Sequence, residues 1–85
     1  MGLDEERQRG QLAENLRNNS LLQEIFQALR DSYITDWSQT ELSDMDKREQ
    51  QYYLLKALDS IELELESIIA TGNLATQQIE TYKKK

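Results

Sequence analysis

The sequence predicts an all-α protein, and three observations point there. First, Leu54, Leu58, Ile61, Leu65 and Ile68 recur at heptad spacing, in a stretch without glycine from Asp44 to Thr71. Second, Leu22, Phe26, Leu29, Tyr33 and Trp37 recur at spacings of 4, 3, 4 and 4. Both patterns put apolar side chains on one face of a 3.6-residue helix. Third, the 85-residue chain has no proline and no valine and is rich in Leu, Gln and Glu, a helix-forming composition. Only Ile61-Glu62-Leu63-Glu64-Leu65 alternates like a strand, and it lies inside the longer helical pattern.

The first helix is expected over about residues 4–18. Asp4, Glu5 and Glu6 suit the positive end of its dipole. Its apolar content is thin (Leu12, Ala13 and Leu16), and Gly10 in its middle costs about 1 kcal/mol relative to alanine. The second helix, about 20–38, starts at a capping-box pair, Ser20 with Gln23. Gln39 to Leu42 reads as a short loop. A third helix, about 44–71, follows the cap-like Ser43-Asp44-Met45-Asp46. Gly72-Asn73 reads as its stop, because glycine takes the left-handed conformation cheaply just past a helix end. Residues 1–75 thus form one helical domain without an internal repeat. The polar tail, 76–85, reads either as a short helix through Leu74, Gln78 and Ile79 or as disordered.

A short loop makes the second and third helices antiparallel neighbours. At 1.5 Å per residue they measure about 27 and about 42 Å, so the third helix overhangs the second beyond roughly position 60. The overhang carries Ile61, Leu65, Ile68 and Ile69, and the first helix is too poor in apolar residues to cover it well. Leaving such side chains wet forgoes about 1.5–3 kcal/mol each. A protein partner or a second copy of the chain is therefore expected around 61–72, the alternative being a tail that folds back through Leu74 and Ile79. Small domains often need oligomerisation when no disulfide or metal staples them, and this chain has no Cys and no His.

Asp59, Glu62 and Glu66 fall on one edge of the third helix, and no Lys or Arg occurs between Ala57 and Tyr82. This edge reads as a solvated rim or as a patch for a basic partner. Leu63, with Tyr52, forms an apolar spot on the outer face, either incidental or a second contact. Tyr33, Trp37, Tyr52 and Tyr53 are expected to cap the core at the loop end. No catalytic, cofactor or metal residue is assigned, and an enzyme is not expected, since His, Cys and a Gly-rich loop are all missing. The net charge of −6 disfavours nucleic-acid binding. Residues 1–20 show no secretory signal, and no run is apolar enough to span a membrane.

Several stretches resemble short, acidic, all-helical proteins encoded among the packaging and virion-assembly genes of tailed bacteriophages. They are Asn19-Ser20-Leu21-Leu22, Tyr33-Ile34 with Trp37, and Arg48-Glu49 with Tyr52, Leu54 and Leu55. Lys56-Ala57-Leu58-Asp59, Leu65-Glu66, Ile68-Ile69 and Thr71-Gly72-Asn73-Leu74-Ala75 complete the match. It covers about Asn19 to Ala75 and is a packing pattern with a helix stop. Asn19-Ser20 stands where that pattern has Asn-Pro. The resemblance implies a phage context, in the host cytoplasm or the virion, and an accessory role in the particle or its assembly. It supplies no site residues. The rival reading is an acidic inhibitor that occupies a basic site on a host protein, as a nucleic-acid mimic would. A third is a transcription-related co-factor without DNA contacts of its own.

Overall fold

The computed structural model describes residues 2–84; Met1 and Lys85, the latter the end of the expected tail, lie outside the described residues. Three helices follow in order: α1 (Leu3–Arg17), α2 (Ser20–Ser38) and α3 (Met45–Lys83). Among the described residues there is no strand, so the all-α class stands. The chain divides into two compact units. One joins α1 to α3 from Leu63 onward; the other, Ser20–Glu62, is a hairpin of α2 and the first part of α3.

In the first unit, α1 starts without a side-chain cap; Gly2 is extended at its N-cap. Asp4, Glu5 and Glu6 in the first turn stabilise that end through the dipole instead. Asn18 closes the helix, its N–H bonding back to the carbonyl of Glu14. Arg17 pairs with Glu66 while Gly10 meets Gly72, so α1 runs antiparallel to α3. The buried residues here are Gly10, Ala13, Ile69, Gly72 and Ala75, with Ile69 6 % and Ala75 1 % exposed.

Two expectations are corrected here. The third helix does not stop at Gly72-Asn73 but continues to Lys83, so that residues 76–83 are helical. Gly72 does not use its left-handed option, for no glycine among the described residues has positive φ. Its helix cost of about 1 kcal/mol is offset by tertiary packing, which overrides propensity. The second correction concerns the overhang. The upper part of α3 has a mate in its own chain, α1, and the mating buries four small residues, Gly10, Ala13, Gly72 and Ala75, together with Ile69.

In the second unit, α2 and α3 form the expected antiparallel hairpin. Thr40 closes the end of α2 with both its N–H and its hydroxyl on the carbonyl of Trp37. A turn follows, in which the Asp44 N–H bonds to the carbonyl of Glu41. Asp44 in turn accepts from the Arg48 N–H as α3 begins, and the Arg48 guanidinium donates to the Leu42 carbonyl at 2.8 Å. Leu58 is the one fully buried side chain of this unit, and α2 buries no residue completely. Leu22, Phe26, Tyr33, Leu54 and Leu55 are half-buried. The expected aromatic cap on the core is not formed: only Tyr33 is half-buried, while Trp37, Tyr52 and Tyr53 are exposed.

Candidate functional site

The residues singled out in the sequence separate into three groups. The first is the acidic edge. Asp59 and Glu62 lie one turn apart on α3, and Arg30 of α2 reaches both within the hairpin. Its Nη1 donates to Asp59 Oδ1 at 2.9 Å and its Nη2 to Glu62 Oε1 at 2.5 Å. The bond to Asp59, then that to Glu62, raises the Arg30 pKa. Glu66, in the other unit, receives Arg17 of α1, whose Nη1 lies 3.1 Å from both carboxylate oxygens. The edge that lacks basic residues in its own stretch of sequence is thus met by arginines from elsewhere in the chain. These pairs are charge-assisted but open to water, so screening limits each to about 1 kcal/mol. Replacing Arg30 by Met is expected to cost about 1 kcal/mol in urea unfolding at low salt, and clearly less at high salt. A loss that does not respond to salt would show that the aliphatic stem, not the charge, matters.

The second group is the apolar overhang. Ile69 is buried under α1, which removes it from any external surface. Leu65 and Ile68 are half-buried. Ile61 and Leu63 remain open, 52 % and 69 % exposed. Leu63 and Tyr52 do lie outward, and the Tyr52 ring carries Lys56 Nζ 5.5 Å from its centroid, a cation–π contact. Beside it, the Tyr53 hydroxyl donates to Glu49, which raises the tyrosine's pKa. A phenol held in its neutral form is not an activated nucleophile.

The third group escaped the sequence reading. A methyl group on Gly10 would lie 2.8 Å from Cα of Gly72, and one on Gly72 would lie 2.7 Å from Cα of Gly10. The same two methyls would meet the carbonyl oxygens of Ile68 at 3.4 Å and Glu6 at 3.1 Å. Ile68 precedes Gly72 by four residues, as Glu6 precedes Gly10, so the crossing has local two-fold character. The signal was present as Gly10-Gln11-Leu12-Ala13 and Gly72-Asn73-Leu74-Ala75. Each pairs a glycine and an alanine at i, i+3, and all four are buried. This four-residue echo is too short to register as a repeat, yet it places the two backbones in contact.

Among the described residues no group of three or more acidic, His or Cys side chains is placed to hold a metal. No helix there is long and apolar enough to cross a membrane. The arrangement offers ion pairs, a tight helix crossing and exposed apolar side chains. No family model, no curated protein and no solved structure shows significant similarity to this chain.

Proposed function

We propose that this chain is a non-enzymatic accessory protein of a phage particle or of its assembly, acting through helix-mediated protein contacts. The observation that carries the contact role is α2. It buries no residue completely, although Leu21, Ile25, Leu29, Ile34 and Trp37 are large, apolar and exposed. Apolar residues scattered singly on a surface need no explanation, but a helix exposed along its length is a contact element in waiting. The phage setting, host cytoplasm or virion, rests on the resemblance of Asn19 to Ala75.

The rival reading is the acidic inhibitor. A decoy for a basic site needs carboxylates free to meet it, whereas Asp59, Glu62 and Glu66 are engaged by Arg30 and Arg17. The test is gradient sedimentation of a lysate in which the chain is produced with its neighbouring genes. The chain is expected to travel with particles or assembly intermediates. Recovery only in the slow fractions of small free proteins would overturn the assembly role.

A further inference from the structure

The hairpin of α2 and α3 has two unlike edges. Arg30, Asp59 and Glu62 mark one. Ile25 lies five residues from Arg30, and Ile61 two from Asp59, so both point well away from that edge at about 100° per residue. Leu21, Ile25 and Leu29 recur every four residues on α2, and all three are exposed. On α3, Leu54, Ala57 and Ile61 share the matching side; Leu54 is half-buried and the other two exposed. Ala28 and Gln50, next on the same side, are also uncharged. In a chain that is 31 % charged, this edge carries no charge from Leu21 to Ser32 on α2 and from Gln50 to Ile61 on α3; Asp36 and Lys47 follow on it toward the loop end.

We infer that this uncharged edge pairs with the same edge of a second copy, making a four-helix bundle of two hairpins. This deepens the proposed contact function and rests on it. Three considerations select a second copy over a different partner. With a net charge of −6, two copies repel, and the uncharged stretch of this edge is where they can meet. From Leu21 to Ser32 and from Gln50 to Ile61 that edge offers a basic or acidic partner nothing to recognise. Its size is also close to that of a stable contact. The 19 residues of α2 span about 28 Å, and two helices side by side about 20 Å. The resulting face, Asp36 and Lys47 at its loop end included, is roughly 560 Å² in projection before its corrugation is counted, just under the roughly 600–1,000 Å² per partner of ordinary stable interfaces. A two-fold contact needs only that this patch be complementary to itself. It would also complete a core that now holds a single fully buried side chain, Leu58.

The experiment is sedimentation equilibrium of the full chain across a concentration series, with circular dichroism on each variant. The parent is expected at twice its 10.0 kDa mass at about 50 μM, as for a dissociation constant near 1 μM. Ile25→Glu and Ile61→Glu should each raise that constant at least about tenfold with unchanged helicity. Leu63→Glu, away from this edge, should leave it unchanged. A variant that loses helicity is replaced by Ile25→Ser or Ile61→Ser, which are expected to weaken pairing without a new charge. A parent that stays at 10.0 kDa overturns the second-copy inference. If it still travels with particles in the gradient, the assembly role survives and the edge belongs to another protein. A dimer indifferent to both edge variants but broken by Leu63→Glu would place the contact elsewhere.

Discussion

Replacing Gly10 or Gly72 by alanine is expected to destabilise the protein, although in an ordinary helix interior the same change gains about 0.5–1 kcal/mol. The sign reverses because the added carbon meets backbone, not a side chain that can swing aside. At 2.8 Å and 2.7 Å from the opposing Cα it lies well inside normal contact, and α1 must lift off α3 to admit it. Lifting opens the buried seam of Ala13, Ile69 and Ala75. Overpacking of this kind costs about 1–3 kcal/mol. For a domain of this size that lowers the thermal midpoint by roughly 5–15 °C. Gly2→Ala is the control, since a methyl there meets nothing within 4 Å. Increased amide exchange confined to α1 and to α3 beyond Leu63 would accompany the drop. A midpoint that rises in Gly10→Ala would show that the helices stand further apart than the crossing requires.

The second large effect is expected at Leu58. It is 4 % exposed and is the only fully buried side chain of the hairpin unit. Leu58→Ala removes the centre of that core and should cost about 2–3 kcal/mol, the lower part of the usual range, because the half-open surroundings can collapse or admit water. Leu63→Ala, at an exposed position one and a half turns on, should stay within about 0.5 kcal/mol. Denaturant unfolding of both variants checks the contrast. Equal losses would mean that the hairpin has no distinct core and that its stability comes from the helices' own propensities.

How much of this was legible beforehand depended on the size of the side chains involved. The hairpin was legible because Leu22, Phe26, Tyr33, Leu54 and Leu58 are large and periodic, and the period of an apolar stripe fixes both a helix and its inward face. The salt bridges of the acidic edge were half legible. The carboxylates stood out in sequence, but their arginines lie 29, 32 and 49 residues away and become neighbours only in the fold. The crossing of α1 and α3 was hidden by the weakness of its own signal. Glycine at a helix centre reads as a defect, and glycine before asparagine reads as an end. Both readings weigh local propensity alone. They miss that removing a side chain brings two backbones together, so that short residues supply by proximity what leucines supply by bulk. The same cause hid the continuation of α3 past Gly72, where Ala75 is packed against its neighbour and the residues beyond it, rich in Gln and Glu, carry the helix on.

The facing glycines also restrict how this protein can change over generations. When two large side chains touch, the loss of one can be answered by the growth of the other, and such pairs drift together. Gly10 and Gly72 are each already the smallest residue available, and each presses on the other's main chain. No exchange at one can be relieved by an exchange at the other. Lineages that keep the crossing must hold both positions fixed, while Leu12 and Leu74, exposed beside them, are free to wander.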